Sequence, residues 1–251
     1  MTHSAKSIAS WTRKPKSSRL SQIMTKKLVA EFLGTFCLVF AGTGAIVIDG
    51  VTGGPVSHVG VALTFGLIVL AMLYTIGDSS GAHINPAVTI GFFAARRSEA
   101  GSVMPYVASQ CAGALAASLV LRFLFPQSAT LGATIPAGST MQSFVLEMLF
   151  TALLMFVILS VSTGACEKGI TAGIAVGAVI ALEAMFAGPI CGASMNPARS
   201  LAPALVSGHL SGLWIYLVAP VLGAALGVIG CRCVRERGCC SGAQTADISS
   251  V

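Results

Sequence analysis

"GAHINPAVTIG", residues 81–91, returns near the far end of the chain as "GASMNPARSLA", residues 192–202. In both, a Gly-Ala pair leads into Asn-Pro-Ala and then into a short, mostly apolar run. The first run, residues 86–95, lies between Asn85 and Arg96. A helix over it rises about 1.5 Å per residue and reaches about half of a ~30 Å hydrocarbon core, so it cannot span a membrane. Asn suits the N-cap, and Pro suits the first helical position, where its fixed φ and missing N–H cost nothing. Asn85, Pro86 and Ala87 thus predict a half-length helix over 86–95, and Asn196, Pro197 and Ala198 predict a twin over 197–206.

The surroundings of these two segments are written for lipid. Of 251 residues, 55% are hydrophobic and only 10% charged, and the mean hydropathy is strongly positive. Apolar stretches long enough to cross a bilayer occur near 28–48, 59–77, 104–125, 142–163, 170–188 and 212–230, each close to the roughly 20 residues that a spanning helix needs. Glycines such as Gly113 and Gly223 recur inside them, which lets membrane helices approach closely. The composition predicts an all-α membrane protein.

Of the fifteen Lys and Arg residues, thirteen fall on one side of this arrangement. They stand before the first span (from Lys6 to Lys27), after the second (Arg96, Arg97), after the fourth (Lys168) and after the sixth (Arg232, Arg235, Arg237), leaving Arg122 and Arg199. Because cytoplasmic loops retain positive charge, both termini are expected in the cytoplasm of a multi-pass protein of the cell membrane. The net charge of +6 then reflects topology and attraction to anionic lipid, and no nucleic-acid partner is expected. Residues 1–27 form a basic tail without regular structure or the pattern of a removable signal, and Met24 would serve as an alternative start. Residues 233–251 form a Cys-rich tail. Cys37, Cys111 and Cys191 read as packing residues, whereas Cys231, Cys233, Cys239 and Cys240 fall on the reducing face, where disulfides do not persist.

The chain also repeats itself. "VAEFLGTFCLVF" (29–40) parallels "VLEMLFTALLMF" (145–156). Glu31 and Glu147 are 116 residues apart, Asn85 and Asn196 are 111 apart, and Tyr106 and Tyr216 are 110 apart. Each half, 28–125 and 142–232, contains three spans and one Asn-Pro-Ala segment. Three is odd, so the second half enters the membrane from the opposite face, as an inverted repeat. The two re-entrant half-helices then meet N-terminus to N-terminus near the bilayer centre, where irregular backbone is tolerated only inside protein or along a wet cavity. Each directs about half a positive charge at the meeting point. An Asn that caps its helix through its oxygen can still offer its NH₂ group to a solute. Cations are repelled there, while a neutral hydroxyl-bearing molecule is accepted.

"AEFLGTF", "SGAHINPAVT" and "GASMNPARS" together identify the sequence as resembling the aquaporin (major intrinsic protein) family over roughly residues 24–232. The resemblance implies the aquaporin fold of six transmembrane helices plus two re-entrant half-helices. It also implies a homotetramer in the lipid bilayer, each copy carrying its own passive pore for water or small neutral solutes. It places the outer constriction at Phe65, Ala184, Ala193 and Arg199. Narrow water-selective members resemble one another in carrying a His and a small hydroxyl or thiol residue where this chain has Ala184 and Ala193. Two methyl groups imply a wider opening, for glycerol-like polyols, urea or neutral metalloid acids. Ser200 and Phe65 differ from the Asp and Trp typical of glycerol facilitators, and "GPICGASMNPARSLAP" most resembles nodulin-like intrinsic proteins and their bacterial relatives.

Glu31 and Glu147 read as acceptors for the backbone N–H groups of the re-entrant loops, and His83 as a support of the first loop or a gate. Glu183 has no counterpart in the other half, and a one-residue shift in spacing would put it at the constriction. His58 and His209, in or beside the outer loops, carry no specific signal. Intramembrane carboxylates in an inverted repeat also fit a proton-coupled transporter, and a strictly water-selective pore or a junction protein are further alternatives. No nucleophile elbow, phosphate loop or metal-ligand spacing is present, so neither an enzyme, a metal site nor a cofactor is expected.

Overall fold

The computed structural model describes residues 16–162 and 166–234, and all regular elements among them are helical. Helix α1 (Lys16–Leu38) runs through one wide π-helical turn, Val39–Thr43, into α2 (Gly44–Thr52). There follow α3 (Ser57–Ser80), α4 (Pro86–Ala94), α5 (Ala100–Leu124), α6 (Thr140–Val161), α7 (Cys166–Cys191), α8 (Pro197–Ser207) and α9 (Leu213–Val234). Among the described residues, six helices are long and apolar enough to cross a membrane: Ser21–Thr52, Ser57–Ser80, Ala100–Leu124, Thr140–Val161, Thr171–Cys191 and Leu213–Val234. Helices α4 and α8, with 9 and 11 residues, are not.

Three sequence expectations need amendment or fall outside this part. First, α1 begins at Lys16, inside the segment read as an unstructured tail. "SQIMTKK" contains neither Gly nor Pro, so a helix already stabilised by its apolar part extends outward at little cost. Second, Cys231 is disulfide-bonded, against the expectation for the reducing face. Its complete burial limits access of an attacking thiol. Third, the tails over 1–15 and 235–251, with Lys6, Arg13, Lys14, Arg235, Arg237, Cys239 and Cys240, lie outside the described residues.

The helices pack chiefly as α1 with α5, α6 with α9 and α3 with α7, and each short helix lies against both α5 and α9. Glycine makes two of these pairings possible. A Cβ on Gly113 of α5 would stand 2.2 Å from the Phe32 carbonyl of α1, and one on Gly223 of α9 would stand 2.2 Å from the Met148 carbonyl of α6. The outer surface is apolar too, with Leu67, Phe123 and Phe186 exposed. A helix that is apolar on its outward face is one surrounded by lipid.

Candidate functional site

The segments before α4 and α8 are built alike, and each is tied down by one buried carboxylate. Glu31 accepts from His83 N (2.9 Å) and Ser80 Oγ (2.7 Å) on one oxygen, and from Ile84 N (2.7 Å) and Gln110 Nε2 (2.7 Å) on the other. Glu147 accepts from Ser194 N and Met195 N, both at 2.7 Å. These bonds hold backbone that would otherwise unwind. Ala82 and Ile84 have φ of 45° and 42°, and Ala193 and Met195 have 41° and 48°, a left-handed conformation that costs a non-glycine residue roughly 1–2 kcal/mol. Tyr106 and Tyr216 brace the same two segments, donating to the Ser80 carbonyl (2.9 Å) and the Cys191 carbonyl (2.6 Å) at the ends of α3 and α7.

Each Asn caps its own helix and grips the opposite loop. Asn85 Oδ1 accepts from Ala87 N (2.8 Å), while its Nδ2 donates to the Met195 carbonyl (2.8 Å). Asn196 Oδ1 accepts from Ala198 N (3.0 Å) and Arg199 N (3.3 Å), while its Nδ2 donates to the Ile84 carbonyl (2.9 Å). One of the two amide hydrogens on each Asn is therefore committed, and the second is left for the cavity that both residues line. Pro86 and Pro197 occupy the first helical positions.

That cavity, of about 100 Å³, is bordered by all four residues named for the constriction: Phe65, Ala184, Ala193 and Arg199. One wall is apolar. Phe65, Val69 and Leu73 on α3 face it at four-residue spacing, as do Val176, Ile180 and Ala184 on α7. The two loops, residues 81–85 and 193–196, border it as well, with Leu154 and Ile158 of α6. The Arg199 guanidinium lies 5.2 Å from the centre of the Phe65 ring and donates from Nη1 to the Gly132 carbonyl (3.1 Å). Phe65 is seated in turn against Gly42 of the π-helical turn, where a Cβ would lie 2.3 Å from the ring. A cation in the first turn of a helix opposes the macrodipole, and the Gly132 carbonyl, the Phe65 face and the nearby Glu147 carboxylate offset that cost for Arg199. An outer cavity of about 320 Å³ shares Phe65 and Ala184 with the inner one.

Glu183, unlike its neighbour Ala184, does not border the cavity and is fully buried. His83 stacks on Phe92 and packs on Tyr106, with Nδ1 3.1 Å from Thr89 Oγ1. Several contributors escaped the sequence reading. His58 continues the Phe65 face outward by two turns, and its Nε2 donates to the Met185 carbonyl (2.7 Å) beside Ala184. The segment between α5 and α6 supplies Gly132 and Thr134, whose hydroxyl donates to Ser200 Oγ (2.9 Å). Arg122, in the last turn of α5, ties that helix to the same segment by donating to the Ser128 carbonyl (2.9 Å). An amide in the middle of an apolar span, Gln110, was the available signal for the first cluster, and the apolar Leu131 and Ile135 were the signal that the 125–139 segment is not an ordinary loop. Among the described residues no cluster of three His, Cys, Asp or Glu could hold a metal ion.

The family model described as "Major intrinsic protein" matches residues 17–230. Aquaporin NIP1-4 of Oryza sativa subsp. japonica is 46% identical over 220 residues, covering 87% of this chain and 80% of the relative. Aquaporin NIP3-1 of Arabidopsis thaliana is 45% identical over 216 residues, covering 83% and 67%. Among solved structures, the X-ray structure of the aquaglyceroporin from Plasmodium falciparum superposes with a TM-score of 0.74 at 26% identity, covering 82% of this chain and 94% of that one.

Proposed function

The chain belongs to the major intrinsic protein family, and from that premise we propose a passive pore wide enough for glycerol-like polyols, urea and neutral metalloid acids as well as water. The protein is a multi-pass membrane channel for water and small neutral solutes, not an enzyme. The wider selectivity rests on one observation above all: the cavity bordered by Phe65 and Arg199 is also bordered by Ala184 and Ala193, whose side chains are single methyl groups. Names among the relatives, aquaporins and an aquaglyceroporin, agree with a pore that passes both water and larger neutral molecules.

Exclusion of ions follows from electrostatics. An ion entering this cavity loses most of its hydration, and the apolar wall offers nothing in return. A cation also meets the Arg199 charge and then two helix N-termini, each carrying about half a positive charge. A water or hydroxyl oxygen at the centre can accept from the remaining amide hydrogens of Asn85 and Asn196. Its own hydrogens then point outward along the pore, so a proton cannot be handed through the midpoint. Glu31, Glu147 and His83 support the loops and take no part in transfer.

The assembly is a homotetramer, each copy with its own pore and with apolar outer residues such as Leu67 and Phe186 against lipid or a neighbouring copy. The halves over 28–125 and 142–232 are inverted in the bilayer of the cell membrane, with both termini cytoplasmic. The test is stopped-flow light scattering on vesicles containing the purified protein, comparing water, glycerol and a neutral metalloid acid. All three should equilibrate, and a pH gradient should not drive uptake. Passage of water alone would favour a strictly water-selective pore, and uphill uptake would favour a proton-coupled transporter.

A further inference from the structure

Glu183 is a fully buried carboxyl group for which neither oxygen has a hydrogen-bond partner among the described residues. It lies on a stripe of α7 with Val179 and Ala187, both buried, and is turned about 100° from the cavity-facing Ala184. Helix α7 packs against α3 and α6. The titratable residues of α3 are His58, Tyr74 and Asp78, toward its two ends, whereas α6 carries a single one, Glu147. Glu147 is close enough to act on Glu183 electrostatically, and Arg199 acts on Glu147 in the same way. An ionised carboxylate left in such a place with no donor and a like charge beside it would be very costly.

The first half shows what Glu147 lacks. Glu31 receives four donors, two on each oxygen. Glu147 receives two backbone N–H groups, one on each oxygen, while the thiol of Cys191 donates to the Ala187 carbonyl of its own helix. Tyr106 and Tyr216 set the register between α5 and α9, and four residues beyond each stand Gln110 and Pro220. Gln110 donates to Glu31, but a proline side chain donates nothing. Ser143, one turn before Glu147 on the same face of α6, has a buried hydroxyl that is also without a partner. An internal water needs polar partners that lack others, and the unpaired Glu183 carboxyl and the less fully bonded Glu147 that acts on it supply them.

We propose that Glu183 is a positioning residue for the constriction: a carboxylic acid at neutral pH whose proton is directed, through one bridging water, to the open side of Glu147. The pair then carries one negative charge in total, and Glu147 keeps the Ala193–Met195 backbone in its left-handed path. The link to selectivity rests on the reading of Ala193 as part of the constriction, but the protonation state does not.

Infrared spectroscopy reads that state directly. At neutral pH the purified protein should show the carbonyl stretch of a protonated carboxylic acid, and E183Q should lack it. Absence of the band from the unchanged protein, or its persistence in E183Q, overturns the proposal, whether or not any solute is conducted. In vesicles E183Q should retain glycerol flux at neutral pH because its amide still donates, whereas E183L should lose about fivefold, the equivalent of one lost hydrogen bond. Alkaline pH should reduce flux through the unchanged protein and not through E183Q, because only the former gains a second buried negative charge. Identical alkaline profiles, or an E183L variant with full flux, also overturn it.

Discussion

The two halves of the molecule perform one structural task with different polar parts. Ser80 and Cys191 end α3 and α7, His83 and Ser194 donate backbone N–H groups to a carboxylate, and Thr89 and Ser200 occupy the second turn of α4 and α8. In the first half the side chains close on one another: Gln110 Nε2 reaches both Glu31 and Thr89, and His83 reaches Thr89. In the second half Ser194 meets Ser200 as His83 meets Thr89, but the group also reaches outward: Ser200 meets Thr134, and Arg199 meets Gly132, both from the segment between α5 and α6. The first half is self-contained, whereas the second borrows its completion from a neighbouring segment. That difference leaves Arg199 held from outside its own helix, where it can face the cavity.

Removing the carboxylates breaks the comparison most severely. Each orphaned buried donor costs on the order of 1 kcal/mol or more, so E31A, with four donors released, should lose about 4 kcal/mol, and E147A, with fewer, about 2–3. Thermal unfolding of the purified protein in detergent measures the order. Equal losses would mean that the side-chain donors of the first half add nothing to what the backbone donors supply. The largest functional change should instead come from the constriction. Installing His at 184 and Thr at 193 (A184H/A193T) narrows the opening with groups that water can use and glycerol cannot pass. Glycerol flux should fall by about tenfold or more, the usual range for discrimination by a few atoms in a tight site, while water flux persists. A proportional loss of both would place the constriction elsewhere.

The Asn pair sharpens the comparison, because here the halves are equivalent. N85A and N196A each remove a cap worth about 1 kcal/mol and a cross-loop bond worth about as much again. Each should destabilise by about 2 kcal/mol and reduce flux of all solutes, and unfolding and vesicle assays together separate the two effects. A double variant with normal folding and flux would show that no solute depends on these donors.

What could be read from the sequence was what leaves a local mark. Six spans and two helix starts announce themselves through run length, Asn-Pro and the 111-residue spacing, and the helices fall close to the expected limits, with α4 ending at Ala94 and α8 at Ser207. Counting from Asn196 led to Ala184 but left Glu183 one residue away as an alternative, and the fold separates them: Ala184 borders the cavity and Glu183 does not. Nothing local marks the Arg199 bond to Gly132, which joins residues 67 apart, or the His58 bond across to α7. These depend on how α3, α7 and the 125–139 segment come together, and a lone His or Gly in one sequence does not report its distant partner.

The smallest effect, and the finest test of the symmetry, belongs to the two tyrosines. Neither lines the cavity, and each hydroxyl satisfies a carbonyl at the end of a spanning helix, a group with no partner inside the helix itself. Y106F and Y216F remove one hydrogen bond each without changing ring packing, so each should cost about 1 kcal/mol in thermal unfolding and leave flux intact. Y216F should cost slightly more. Cys191 is fully buried, so no water can replace the lost donor, while Ser80 retains a trace of exposure. The Cys191 carbonyl also stands two residues before Ala193, whereas Ser80 precedes a loop with no constriction residue in it. If Y216F alone changes the ratio of glycerol to water flux, the brace in the second half sets the width of the opening, and the two halves differ in function where they match in structure. If neither variant changes that ratio, both tyrosines are purely structural and the selectivity lies with the side chains that face the pore.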